Sequence, residues 1–190
     1  MLLHFGQMGS IYMTSVMKNG TPATVGLLNV GTEDHKGGEL QREAFALLKE
    51  SGINFVGNVE ARDVPMGAVD VLVADGFSGN VLLKTMEGTA DMIMSNVKRM
   101  FLANLKTKIS ALLIKSQIGV LKKKMSTAEY GGAPLLGVAK PVIKTHGNSK
   151  AEAVKNAIRV AAQFASAGVI DQIAAAVRSG KVSAENEQEG

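Results

Sequence analysis

The residues of this chain best suited to chemistry sit in short polar stretches that follow apolar runs. One is Asp75-Gly76-Phe77-Ser78-Gly79-Asn80, which breaks the run VDVLVA (69–74) and precedes a helical pattern. A glycine-rich turn that opens a helix leaves backbone N–H groups aimed outward at the positive end of the helix dipole, and such a turn binds phosphate or another oxyanion. Asp75 repels anions, so its use would be to orient a neighbour or to handle a proton. The same turn has a plainer reading, in which Ser78 or Asn80 caps the helix and the glycines tighten the bend. It matches no Walker or dinucleotide pattern. Lys36, in HKGG ahead of another helical pattern, can reach a phosphate as a point charge, or stay solvated like most lysines. His35 beside it reads as an exposed loop histidine. His146, in KTHGN after a short apolar run, is a candidate for general acid–base work, and equally a loop histidine bonded to backbone.

The elements that would position these residues alternate. Residues 1–18 read as a helix that stops at Asn19-Gly20. TVGLLNV (24–30), INFV (53–56) and VDVLVA (69–74) read as buried strands. ELQREAFALLKESG (39–52) has helical spacing and ends in glycine. A helix is expected over 79–118, with breaks, then short strands in PLLGV and PVIK, then helices over 149–168 and 169–180. Strands that are unbroken apolar runs argue for an α/β fold with a parallel-rich sheet covered on both faces by helices. In such sheets ligands bind outside the carboxyl ends of the strands. The residues there are Thr32, Asp34, His35 and Lys36 after the first run, and Asn58 and Glu60 after the second. Asp75, Ser78 and Asn80 follow the third, and His146, Asn148 and Ser149 follow PVIK. Four neighbouring strands would bring four loops to one rim. The expected organisation is a single α/β domain over 1–180, with a helical protrusion at 91–130 and a frayed polar tail at 181–190.

Charge is uneven. The formal net charge is +4, yet residues 98–124 hold eight of the 21 basic residues and no acid, so the rest of the chain is net negative. Within that segment Leu105, Ile109, Leu112 and Leu113 fall at helical spacing, with Lys108 and Lys115 beside them. A basic amphipathic helix suits an anionic membrane surface. It equally suits a dimer partner or ordinary core packing with the lysines solvated. Nucleic acid is the third reading, with charge but no motif to support it. Aromatics make up 4% and Trp is absent, which argues against stacking platforms for single strands. The absence of cysteine excludes disulfides and thiolate chemistry and fits a reducing cytoplasm. Three scattered histidines argue against a structural zinc site. The start of the chain lacks a secretory pattern, and no run of about 18 apolar residues is present to span a bilayer.

Five stretches, in order, carry a family resemblance: VGLLNVGTEDHKGGEL, INFVGNVEARDVP, VDVLVADGFSGNVLLKTMEG, AEYGGAPLLGV and VIKTHGNS. Together they resemble the phosphate acyltransferases of bacterial phospholipid synthesis (PlsX type), and the likeness covers nearly the whole chain. It implies attack of inorganic phosphate on the thioester of a fatty acyl group carried by acyl carrier protein, giving acyl phosphate and free carrier protein. It further implies a homodimer in the cytoplasm, peripherally associated with the membrane. The implied fold is similar to the isocitrate and isopropylmalate dehydrogenases, and no cofactor or metal is implied. Under the resemblance Lys36, Asp75, Asn80 and His146 are the catalytic candidates. Gly76, Ser78, Gly79 and Asn58 are the candidate phosphate or substrate contacts, and Gly131 and Gly132 candidate walls of an acyl channel beside Tyr130. The amphipathic segment is the expected contact to the other subunit, the membrane or the acidic carrier protein. Members of the family run to about twice this length and open on a segment near Asp-Ala-Met-Gly-Gly-Asp, absent here. The chain therefore resembles their carboxyl-terminal part. Two alternatives remain: a coenzyme A-dependent phosphate acyltransferase, and a non-catalytic fragment that dimerises and binds membrane.

Overall fold

Three of the apolar runs pair as expected. In the computed structural model, which describes residues 1–18, 20–124, 131–145, 147 and 149–186, they form strands β1 (Val25–Asn29), β2 (Phe55–Glu60) and β3 (Val71–Val73). All pairings are parallel and the order is β2-β1-β3, so β1 is central. β1 is apolar and almost wholly buried because both of its edges are paired.

Two helices cover the face that bears Val25 and Leu27. They are α1 (Leu2–Tyr12), which continues as a wider turn through Met17, and α2 (Glu39–Glu50). Leu2, Val25, Leu27, Ala44, Phe45, Leu48 and Val73 form one core cluster, with Phe55 edge-on to Phe45 at 5.3 Å. Glycine lets α1 approach this closely. A Cβ at Gly6 would lie 2.7 Å from Leu48 Cδ2, and one at Gly9 would lie 2.7 Å from Val71 Cγ1. Below the strands, Asp70 accepts hydrogen bonds from Lys18 Nζ (2.7 Å) and from the amide and hydroxyl of Thr24 (both 2.8 Å), tying the start of β1 to the start of β3.

A second cluster forms where α1 meets the last two helices, α6 (Ala151–Ser166) and α7 (Val169–Asn186). Met8, Phe164, Val169 and Ile173 are buried there, with Tyr12 against Phe164 at 5.9 Å. Burial raises the pKa of the Tyr12 phenol. α7 runs past Gly180, where the sequence suggested an end, and continues to Asn186.

Between these parts lie α3 (Gly76–Leu102), α4 (Leu105–Leu113) and α5 (Lys115–Lys124). The break after α3 is fixed by Asn104, which caps α4 by accepting from the Thr107 amide at 3.0 Å.

Three sequence expectations need correction. β2 begins at Phe55 and continues through Gly57-Asn58-Val59-Glu60, so Asn58 and Glu60 lie in the strand and not in a loop after it. The apolar run hid this because the ladder skips Val56: Val25 pairs with Phe55, and Gly26 with Gly57, whose φ is +103°. The two runs after residue 130 give only β4 (Ala133–Pro134) and β5 (Ile143–Lys144), a separate antiparallel ribbon against α6. β5 is outside the parallel sheet, so three loops, not four, leave its carboxyl edge. Finally, the helix expected from residue 79 starts at Gly76.

Candidate functional site

Because β1, β2 and β3 are parallel, the segments that follow them emerge at one edge of the sheet. The chain passes from β1 to β2 on one side and then returns across β1 to β3. Where strand order reverses in this way, the adjoining loops part and leave a crevice at the carboxyl ends. Here the reversal lies between β1, whose following loop carries Lys36, and β3, whose following turn carries Asp75.

The Lys36 loop is held from below. Asn58 Nδ2 donates to Glu33 O (2.8 Å), and Asn29 Nδ2 donates to Lys36 O (3.0 Å) and to Asn58 Oδ1 (3.1 Å). Asn29 Oδ1 accepts from the Val30 amide (2.8 Å). Both carboxamides are buried. They share a face because Asn29 pairs with Glu60, two residues beyond Asn58. The loop then turns into α2, where Gly38 N–H donates to Gln41 Oε1 (3.2 Å) and Arg42 Nη1 reaches Gly37 O (2.8 Å). Lys36 Nζ has a long ion pair with Glu33 Oε1 at 3.7 Å, and its side chain is 40% exposed. Glu33 is held below the usual carboxylate range by its own backbone amide first, then by the charges of Lys36 and His35.

The turn after β3 is closed differently. Asp75 caps α3, its Oδ1 accepting from the amides of Phe77 (3.0 Å) and Ser78 (2.9 Å), and its carbonyl accepts from Gly79 N–H (2.9 Å). The cap is therefore Asp75, not Ser78 or Asn80. The amides of Phe77, Ser78 and Gly79 are engaged within the chain, which corrects the expectation that they stand free for an anion. The Ser78 side chain and amide, followed by the Phe77 amide, hold the Asp75 carboxyl below its ordinary pKa. A carboxylate so stabilised is ionised at neutral pH and is a weak base, which favours orienting over proton transfer. Asn80 lies one turn into α3 with its side chain exposed, and Gly76 is exposed as well.

The remaining candidates lie elsewhere. Gly131 (φ +74°) is pressed against α6, where a Cβ would run into the Ala157 amide, and Gly132 packs beside Ile143 and Lys144. His146, and Tyr130 beside the two glycines, lie outside the described residues. Leu105, Ile109, Leu112 and Leu113 are all more than half exposed on α4, so the segment is not core of this chain. Lys108 and Lys115 are exposed beside them. Two open grooves follow α3. One of about 430 Å³ is lined by Ser95, Lys98, Arg99, Leu102 and Ala103. The other, about 210 Å³, lies between α3 and α5 and is lined by Met94, Val97, Phe101 and Ile118 with Lys98 and Leu102. Among the described residues, no group of three or more metal-ligating side chains converges, and no single helix is long and apolar enough to cross a membrane.

Asn29 and Arg42 are the contributors that sequence reasoning missed. The only trace of Asn29 is an amide at the end of an otherwise apolar run.

Comparison with known proteins agrees with the resemblance. The chain is 54% identical over 185 residues to a phosphate acyltransferase of Oceanobacillus iheyensis, covering 97% of this chain and 55% of that protein. It is 55% identical over 163 residues to one from Brevibacillus brevis, covering 86% and 48%. A third, from Acetivibrio thermocellus, is 52% identical over 169 residues, covering 89% and 50%. The chain thus spans about half the length of the curated relatives it matches. A family model described as fatty acid synthesis protein matches residues 1–172, nine-tenths of the sequence, and the chain belongs to that family.

Proposed function

We propose that this chain carries part of a phosphate acyltransferase site, in which inorganic phosphate takes a fatty acyl group from the thioester of acyl carrier protein to form acyl phosphate for phospholipid synthesis. The observation that carries the reading is the reversal of strand order, which sets the loop bearing Lys36 and the turn that opens α3 toward Asn80 at the same carboxyl edge of the sheet. Lys36 offers a positive charge on a loop fixed to the sheet. Asn80, one turn into α3, offers an amide N–H for the oxyanion of the tetrahedral intermediate. Asp75 holds the turn and orients its neighbours. Gly76 leaves room for close approach, since a Cβ there would meet nothing within 4 Å. Phosphate is itself the nucleophile, so the enzyme needs none of its own, in keeping with a chain that lacks cysteine. On this reading the three strands belong to a larger sheet similar to that of the isocitrate and isopropylmalate dehydrogenases. The exposed apolar side of α4 faces an anionic membrane or a second subunit.

The test is phosphate-dependent loss of acyl thioester by the purified chain, with acyl phosphate trapped by hydroxylamine. Hydroxamate formed only with phosphate supports the reading. Acyl carrier protein and acyl-coenzyme A are offered in parallel, and turnover of coenzyme A alone would move the assignment to the smaller carrier. Lys36→Ala and Asn80→Ala are each expected to cut turnover at least about tenfold, equivalent to ~1.4 kcal/mol of barrier. Normal turnover in both would remove these two residues from the site.

A further inference from the structure

We infer that Asn29 and Asn58 are positioning residues for Lys36, a pair of buried carboxamides whose work is to hold that lysine at the carboxyl edge of the sheet. The inference rests on the reading of Lys36 as a phosphate ligand. Asn29 is 8% exposed and Asn58 7%, and they are the two buried polar side chains of the described structure. A buried carboxamide is costly unless its donors and acceptor are used. Here they are satisfied only when the loop is in place. Asn58 donates to Glu33 O, Asn29 donates to Lys36 O, and the two amides bond each other. Lifting the loop would leave two buried N–H donors without acceptors.

The effect converges on one residue. Lys36 N–H donates to Glu33 O at 3.1 Å, the same carbonyl that Asn58 holds, and Lys36 C=O is held by Asn29. Both main-chain polar groups of Lys36 are therefore tied to the sheet. The glycines around it fit this arrangement. Gly37 has φ +87°, and a Cβ there would come 2.5 Å from Asn29 Oδ1. A Cβ at Gly31 would stand 3.1 Å from Lys36 Cγ, so the lysine stem lies across Gly31. Among the described residues the ammonium has one charged contact, long and half-solvated, to Glu33. The backbone clamp, not a strong ion pair, sets where the charge sits. Two apolar side chains could fill the same space and hold the sheet equally well, but they would not hold the loop. Carboxamides at both positions are needed only if the loop position matters.

The experiment uses the whole chain with Asn58→Leu, which removes the clamp without adding charge, and Asn29→Asp, which keeps the shape and removes the donor to Lys36 O. Amide hydrogen exchange and steady-state kinetics are measured in each. Exchange at Lys36 should quicken about tenfold or more while Leu27 in β1 stays protected. The KM for inorganic phosphate should rise about tenfold with the KM for the acyl thioester within about twofold. A fall in turnover with both KM values unchanged would mark a purely structural role and overturn the inference, as would unchanged exchange at Lys36. Absence of phosphate-dependent product in the parent chain would defeat the proposed function instead. In that case a titration of inorganic phosphate followed at the Lys36 side chain by NMR decides the clamp. A response in the parent that weakens in the variants supports it, and no response in the parent overturns it.

Discussion

The β1–α2 and β3–α3 units share a plan, strand then turn then helix, yet they are held by different physics. α2 buries Ala44, Phe45 and Leu48 against the sheet, and its entry loop is stitched down by two buried carboxamides and Arg42. α3 is 27 residues long and buries none of them. Its start is fixed by one carboxylate, Asp75, and its strand is tied at the other end by another, Asp70. Packing secures α2, while an ionised cap and local helix geometry secure α3, whose strand alone joins the core through Val71 and Val73. The difference gives Lys36 a rigid support and leaves the turn at Asp75 the more easily perturbed.

The largest test of this contrast is truncation. Leu48 is fully buried, and Leu48→Ala should cost about 2–5 kcal/mol by loss of transfer energy plus a cavity. Leu83→Ala on α3, where the side chain is 51% exposed, should stay within about 0.5 kcal/mol. Urea denaturation of the two variants measures both. Equal losses would mean that α3 is buried in solution and would end the contrast.

Next comes Gly37→Ala. The φ of +87° disfavours any side chain, and the new methyl would collide with Asn29 Oδ1, an atom already engaged by Val30 N–H. A cost of about 2 kcal/mol is expected, part from the left-handed backbone and part from the broken clamp. Gly76→Ala at the other turn has open space around it and no such φ, so it should be near neutral by the same denaturation assay.

Acid should act on the second unit through Asp70 and Asp75. The Asp70 carboxyl is lowered from its ordinary 3.8 to about 2, first by its hydrogen bond from Lys18 and then by the amide and hydroxyl of Thr24. Asp75 is lowered as well. A carboxyl whose folded pKa is depressed contributes stability that is complete above its unfolded value and is lost as pH falls through the folded one. Stability tied to Asp70 at the start of β3 should therefore drain away as pH falls from about 4 through about 2, and the Asp75 cap should weaken in the same direction. In Asp70→Asn the urea midpoint should start lower at neutral pH and fall less steeply with acid. An unchanged slope would show that Asp70 does not titrate with folding.

What the sequence revealed follows the same division. The strands were legible because a parallel sheet covered by helices favours apolar runs, most fully in the central β1. Their ends were not, since the bulge at Val56 carried β2 onward past Gly57 into polar residues that pairing alone made acceptable. The role of Asn58 depended on Asn29, and their meeting is set by register between strands separated by α2, which no local pattern records. At the other turn, the pair of glycines drew attention to free amides. The acid directly before them proved to occupy those amides, and its spacing to Ser78 was the available signal. β4 and β5 were overread because a short apolar run beside proline looks alike in a central strand and in an isolated ribbon.

The smallest effect on stability, and the one that bears most on α3 and its neighbours, is expected at the tip of α4. Leu112 is 72% exposed and Leu113 79%, so replacing both with Asp should change stability by no more than about 0.5 kcal/mol each. Surface affinity should respond instead. A leucine side chain gains about 1.5–3 kcal/mol on full burial, and two of them beside Lys108 and Lys115 can anchor a helix on an anionic bilayer. Flotation with vesicles containing anionic lipid should therefore recover the parent chain and lose the Leu112→Asp/Leu113→Asp variant, with the loss deepened by salt. If the variant still binds vesicles but no longer self-associates in sedimentation, the leucines face a second subunit. α3 and α4 would then be a packed unit after all, one whose core is completed between two chains, and the contrast with α2 would hold only within a single copy.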